Sequence, residues 1–141
     1  MSIRNTLDWI EGLRPRVPTL TCEDLDSLRG NAPDLVIVDI RELQERIDRG
    51  AIPGARHVPR GMLEFWADPG SRYHRPFFAE DARYVLYCAG GARSVLGAVA
   101  MMEMGYRNVS HLGPGFDGWA AEGMEIDDIA SRSRWVRREK G

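Results

Sequence analysis

Apolar positions along this chain fall into short runs separated by stretches of helical spacing. Tyr84 to Cys88 is a compact apolar run of strand length, and its tyrosines and valine suit a pleated, buried surface. A loop of small residues follows, Ala89-Gly90-Gly91-Ala92. Arg93 and Ser94 then open a run too long for a strand, closed by Gly105 where a helix favours glycine. The pattern predicts a strand at 84–88, a tight loop, and a helix over 93–104. Leu35 to Ile40 is nearly continuous in apolar residues, as in a parallel strand buried on both faces. Val17–Leu20, Arg56–Val58 and Val109–Leu112 read as shorter strands. Between these runs the period changes. Leu7, Ile10 and Leu13 have helical spacing until Pro15 and Pro18 stop it. Thr21 is a suitable N-cap, with Asp24 three places on and Gly30 as the expected stop. Further helices are expected at Glu42–Arg49, Gly61–Ala67 and about Phe116–Ala121. Residues 68–83 are polar and turn-rich apart from Phe77-Phe78, and predict no element.

Strands alternating with helices imply parallel strands, right-handed crossovers and helices on both faces. Ligands in such sheets bind beyond the carboxyl ends of the strands, the rim where Asp39 and Cys88 are expected. The chain has 141 residues, enough for one domain with one core. The net charge of −2 gives no reason to expect nucleic acid. It is unevenly spread, since residues 130–141 carry a net +4 against −6 elsewhere. A short basic end of this kind is ordinarily a solvated tail. The N-terminus lacks the apolar core of a signal peptide, and the longest apolar run, Val95–Met102, is too short to cross a bilayer. Two cysteines, Cys22 and Cys88, make no disulfide framework, which fits a reducing, cytoplasmic setting.

The chemistry centres on Cys88. A thiol at the carboxyl end of a strand, below a helix N-terminus, meets free N–H groups and the positive end of the helix dipole. Such a site favours the sulfur as an anion and hence as a nucleophile without a histidine base. Gly90 and Gly91 allow the backbone to curl its amides inward as a nest. Arg93 at the head of a helix is electrostatically poor unless an anion lies beside it. Cys22 has no glycine loop or arginine beside it and reads as structural. His57, His74 and His111 share no metal-ligand spacing, so no metal site is expected. Trp119 reads as core. Phe65 and Trp66 either line the mouth of the site or anchor a helix.

The run CAGGARS resembles the C-x-x-G-x-R-[ST] active loop of rhodanese-like sulfurtransferases. VIVDIRE (36–42), GAIPGARHVP (50–59) and the stretch 104–126 resemble that family's other segments in the same order, so the likeness spans roughly 20–126. The resemblance implies an α/β domain over 17–127 with a mainly parallel sheet of about five strands. A helical extension (1–16) would precede it and the basic tail (128–141) would follow. It implies that Cys88 attacks the outer sulfur of a donor such as thiosulfate, holds it as a persulfide, and passes it to cyanide, a thiol or a protein acceptor. No metal or organic cofactor, nucleic acid or membrane is implied. Ala89, Gly90, Gly91, Ala92, Arg93 and Ser94 would form the substrate cradle, Ser94 supporting the loop with its hydroxyl. Asp39 and Arg41 match the family's Asp-x-Arg pair, either as a brace between strand ends or, for Arg41, as a contact to the anionic substrate. Ala51 stands where the family usually has histidine, and Pro114 interrupts its expected Gly-Gly pair. Two rival readings are a persulfide carrier or interaction module, and a cysteine-dependent phosphatase or arsenate reductase.

Overall fold

The computed structural model describes residues 2–79 and 81–138; the last three residues of the basic C-terminal stretch lie outside the described residues. The strands are β1 (Thr19–Leu20), β2 (Leu35–Asp39), β3 (Arg56–His57), β4 (Arg83–Tyr87) and β5 (Val109–Leu112). The helices are α1 (Thr6–Leu13), α2 (Cys22–Asn31), α3 (Leu43–Arg49), α4 (Leu63–Ala67), α5 (Arg93–Met104) and α6 (Gly115–Ala121). All five strands are parallel, in the order β1-β5-β4-β2-β3. The parallel α/β sheet is therefore the one the alternating pattern predicts, and its five strands are the number the resemblance implies.

Alternate residues of the central strands feed two separate cores. Val38, Ile40, Tyr84, Leu86 and Cys88 pack with α1, α4 and α5 through Ile10, Leu63, Ala67, Val95 and Met101. Ile37, Val85 and Tyr87 pack on the other face with Cys22, Leu25, Phe116 and Trp119 of α2 and α6. Burial on both faces explains why these strands read as continuous apolar runs.

Helix ends follow local chemistry. Thr21 and Asp24 form a reciprocal capping box at the head of α2, each side chain bonding the other's backbone N–H at 3.0 Å. α5 ends where expected, with Gly105 at φ 109°. α2 runs one residue past its expected stop. Gly30 keeps an ordinary φ, and Asn31 bonds the Ser27 carbonyl from inside the helix. No helix among the described residues is long and apolar enough to cross a membrane.

The connection from β2 leads through α3 to β3 at one edge, whereas that from β4 leads through α5 to β5 on the other side. The strand order thus reverses between β2 and β4, where a crevice opens at the carboxyl ends. Asp39 ends β2 and Cys88 follows β4, so the two flank this point. The approach of α5 to the sheet is set by Gly97. A Cβ there would lie 3.1 Å from Leu86, 3.2 Å from Ile40 and 3.3 Å from Leu63. Gly97→Leu is expected to overpack this interface and lower stability by about 1–3 kcal/mol. Thermal melting should fall by roughly 2–4 °C per kcal/mol, with an unchanged far-ultraviolet dichroism spectrum at room temperature. An unaltered melting temperature would mean that α5 can ride away from the sheet.

Candidate active site

Cys88 is 1% exposed, at the junction of β4 and its loop. The loop curls at one residue. Gly91 has φ 91°, and its amide donates to Cys88 Sγ at 3.2 Å. A Cβ on Gly91 would meet the Gly113 carbonyl oxygen at 2.2 Å, so the position excludes every side chain. Gly90, expected to share this duty, has an ordinary φ and open space around its Cα.

The loop is held from behind by α6. Phe116 N–H donates to the Cys88 carbonyl and Asp117 N–H to the Ala89 carbonyl, both at 2.9 Å. These are first-turn amides without partners inside their own helix. They fix the two carbonyls away from the sulfur. Gly115 permits the approach, since a Cβ there would lie 2.3 Å from the Ala89 oxygen. Pro114 occupies the N-cap of α6, where a missing N–H removes nothing from the helix.

Arg93 opens α5 and forms a two-pronged ion pair with Glu45, both contacts at 2.9 Å. Glu45 also accepts the Glu42 N–H at 2.8 Å, which fixes the carboxylate at the head of α3. The Arg93 hydrogen bonds hold the Glu45 carboxyl below the usual carboxylate range, and Glu45 in turn raises the Arg93 guanidinium. Sequence reasoning missed Glu45. The available signal was the Glu42/Glu45 spacing at the start of a helix, which is that of a capping box.

Asp39 and Arg41 are buried together. Asp39 accepts from Arg41 N, Nε and Nη2 at 3.1, 3.0 and 2.9 Å, from Arg46 Nε at 3.1 Å and from the Tyr87 hydroxyl at 2.8 Å. Arg41 also donates to the Gly50 carbonyl at 2.7 Å and lies over the Phe116 ring. This is the geometry of the brace, one of the two roles expected of the pair. Ala51 is fully buried and forms an antiparallel bridge with Asp127. Its small side chain lets 126–127 close over Gly50, where a Cβ would lie 2.5 Å from Ile126.

His111 is the second residue that sequence reasoning left outside the site. It is fully buried, with Nδ1 2.8 Å from Ser94 Oγ and Nε2 3.2 Å from Thr19 Oγ1, and Ser94 Oγ is 3.6 Å from Cys88 Sγ. Arg14, in the N-terminal extension, donates to the Gly91 carbonyl at 3.2 Å. His57 Nε2 contacts the Arg41 carbonyl oxygen at 2.8 Å, and His74 Nε2 that of Phe78 at 3.0 Å.

A cleft of about 480 Å³ lies beside Ala89, lined among others by Arg41, Glu45, Asp48, Arg137 and Arg138. The basic tail therefore does not simply trail into solvent. Arg138 pairs with Asp48, Arg137 with Asp128, and the Val136 carbonyl accepts from Gln44. Cys22 lies in the core beneath α6, and burial, with a hydrogen bond to Glu122, pushes its thiol up to about 12. Trp119 is core, as expected. Trp66 packs against the α5-side core with Arg75 over its ring, whereas Phe65 is exposed and edge-on to Tyr73. Among the described residues no cluster of metal-ligating side chains occurs.

Burial, helped by the Arg14 charge, pushes His111 down to about 4 from 6.5. Between these values the unfolded chain binds a proton that the folded chain refuses, so stability rises with pH across that window. About 3 kcal/mol should be lost on acidification from pH 7 to 4. Urea midpoints of the wild type and His111→Gln, taken across this range, should show a shallower slope in the variant. His57, lowered chiefly by burial, adds slope of the same sign, and the lowered Glu45 carboxyl adds more toward pH 4. Equal slopes would mean that His111 titrates freely in the folded state.

Residues 21–122 match the family model described as the rhodanese-like domain. The chain is 30% identical over 110 residues to a sulfurtransferase of Allochromatium vinosum, covering 78% of this chain and 94% of that one. Among solved structures, one from Rhodopseudomonas palustris aligns at 42% identity and TM-score 0.85, covering 90% of this chain and 98% of the other. It is described as a protein of unknown function and possible tyrosine phosphatase. A thiosulfate sulfurtransferase from Pseudomonas aeruginosa aligns at 26% identity and TM-score 0.68, covering 92% of this chain and 22% of that longer one. With the match running from the cap of α2 to the end of α6, this chain belongs to the rhodanese-like family, whose sulfurtransferases are among its relatives.

Proposed function

We propose that the chain is a thiosulfate-type sulfurtransferase working through a Cys88 persulfide. The observation that carries this reading is Cys88 Sγ held under its loop by the Gly91 amide, with Ser94 Oγ beside it. The Cys88 thiolate attacks the outer sulfur of thiosulfate. A sulfur–sulfur bond forms to Sγ, the bond to the sulfite sulfur breaks, and sulfite leaves with the electron pair. Cyanide, a small thiol or an acceptor protein then attacks the terminal sulfur and returns Cys88 to its thiolate. Hydrogen-bond donors aimed at the sulfur act as an oxyanion hole does for oxygen. Ala89, Gly90, Gly91 and Ala92 form the cradle wall, and Arg93 contributes positive charge tempered by Glu45. Arg41 and Asp39 position the rim.

In this reading residues 17–127 carry the chemistry, between an N-terminal extension (1–16) and the basic segment 128–141. Both appended segments reach the surroundings of the site, through Arg14 at the loop and Arg137 and Arg138 at the cleft. The working thiol requires a reducing compartment, consistent with a cytoplasmic setting.

Phosphatase chemistry is the second reading, favoured by the description of the Rhodopseudomonas palustris structure. Loop length weighs against it. Cys88 and Arg93 have four residues between them, one fewer than the phosphatase signature the loop otherwise resembles. A shorter cradle fails to centre a tetrahedral phosphoryl group within attack distance, and small misplacements are costly in rate.

Intact-mass analysis after thiosulfate treatment should show a gain of one sulfur atom in the wild type and in Cys22→Ser, and none in Cys88→Ser. Loss of the gain in a folded Cys22→Ser protein would sink the one-thiol mechanism. Aryl-phosphate hydrolysis should be negligible; efficient turnover abolished by Cys88→Ser would promote the phosphatase reading instead. Arg93→Ala should slow sulfur loading about tenfold, since it removes a cation and leaves the Glu45 carboxylate unpaired. Adding Glu45→Gln should recover part of that loss.

A further inference from the structure

His111 is a buried titratable side chain that the sulfur chemistry leaves unused. It lies at the middle of a chain of groups that begins at a sealed sulfur and ends at the surface. Cys88 is 1% exposed and Ser94 and His111 are fully buried, whereas Thr19 is exposed. Consecutive contacts are 3.6 Å from Cys88 Sγ to Ser94 Oγ, 2.8 Å from Ser94 Oγ to His111 Nδ1 and 3.2 Å from His111 Nε2 to Thr19 Oγ1. The Thr19 hydroxyl has the Val17 carbonyl as acceptor at 3.2 Å.

We propose that Ser94, His111 and Thr19 form a proton exit from the buried Cys88 thiol to the protein surface, in which His111 exchanges one neutral tautomer for the other. The proposal rests on Cys88 reacting as a thiolate.

With Cys88 as a thiol, the donors run outward. The S–H donates to Ser94 Oγ, the Ser94 O–H to His111 Nδ1, the His111 Nε2–H to Thr19 Oγ1, and the Thr19 O–H to the Val17 carbonyl. Each proton has an acceptor, and the histidine is the Nε2–H tautomer. Ionisation moves every proton one station outward. The thiol proton goes to Ser94 Oγ as the Ser94 proton goes to Nδ1. The Nε2 proton goes to Thr19 Oγ1 as the Thr19 proton goes to water. One N–H or O–H bond forms wherever one breaks, and the net products are a thiolate and one hydrated proton.

The donors now run inward. Thr19 donates to Nε2, Nδ1–H donates to Ser94 Oγ, and Ser94 donates to the sulfur anion. The same heavy-atom distances serve both states, so the switch needs no movement of the fold. Ser94 thereby donates to the sulfur only when the sulfur is charged, which favours the thiolate. Two features keep the histidine neutral. It is sealed from water, and Arg14 is the charged group whose field reaches it. Cys88, through Ser94, is the titratable group to which it is coupled.

The test is ¹⁵N spectroscopy of histidine-labelled protein in a Cys22→Ser background, recorded across the pH range in which iodoacetamide labelling shows Cys88 becoming anionic. The His111 resonances should change from the Nε2–H pattern to the Nδ1–H pattern in step with that titration. Ser94→Ala, a small change that leaves the fold intact, should uncouple the two and slow labelling at neutral pH about tenfold. A His111 tautomer that stays fixed while Cys88 ionises would overturn the proposal. So would protonation of both ring nitrogens in the thiolate form, which would make the histidine a counter-ion. No sulfur donor enters this experiment, so failure of the protein to take sulfur from thiosulfate would leave its result unaffected.

Discussion

A carboxylate sealed inside a protein must be satisfied on every side, and Asp39 meets that demand with five hydrogen bonds. Its donors come from the loop after β2, from α3 and from β4. One of them, Arg41, also holds the Gly50 carbonyl. Tyr87, another, accepts the Ile52 amide at 3.1 Å through its hydroxyl. The carboxylate thus ties together the two strands between which the sheet order reverses, and it fixes the turn that receives 126–127. Removing one member of such a buried set typically costs about 3–5 kcal/mol, because the other charge is left uncompensated. The spacing of the rim therefore depends on this pair even though neither residue touches Cys88.

The loop itself is shaped by a division of its polar groups. Carbonyls at Cys88 and Ala89 turn outward to the first amides of α6, and the carbonyl of Gly91 turns to Arg14. The Gly91 amide is left to face the sulfur. A backbone segment cannot present amides to an anion unless its carbonyls are satisfied elsewhere. α6 is thus a structural requirement of the cradle. The two glycines around Pro114 follow from this. Gly115 lets α6 approach Ala89, and Gly113 leaves room for the Thr19 methyl, 2.6 Å from where its Cβ would stand. Proline between them leaves this arrangement intact.

What the sequence made legible was local. The apolar run of β4, the small-residue helix α5 and the stop at Gly105 are signals that neighbouring residues carry, and their boundaries agree with the structure to within a residue. The Thr21/Asp24 box was readable for the same reason. The partners of the candidate site were not. Glu45 is 48 positions from Arg93, Arg14 is 77 from Gly91, and His111 is 17 from Ser94. Only the fold brings them together; the Glu42/Glu45 spacing marks a helix start but not a place beside Arg93, and nothing in the immediate sequence of Arg14 or His111 marks one beside Cys88. Gly90 and Gly91 looked equivalent for a related reason. Of the two, it is Gly91 that takes the left-handed conformation and lies against the carbonyl of Gly113, a residue of another loop.

Charge around the sulfur is balanced locally. Both prongs of the Arg93 guanidinium that could grip a phosphoryl group are engaged by Glu45, in a fork geometry that a carboxylate and a phosphate would contest. Arg138 and Arg137 at the cleft are likewise matched by Asp48 and Asp128. A site built to hold a transferring phosphate needs several unengaged donors aimed at its oxygens, because electrostatic stabilisation is nearly all the catalysis available there. Sulfur transfer asks for less. In the proposed mechanism the reacting charge sits on one large atom, and it passes from Cys88 to the leaving group and back. One inward amide, a hydroxyl beside the sulfur and a tempered arginine are proportionate to that task. The Arg93–Glu45 pair thus joins loop length in weighing against the phosphatase reading of this chain.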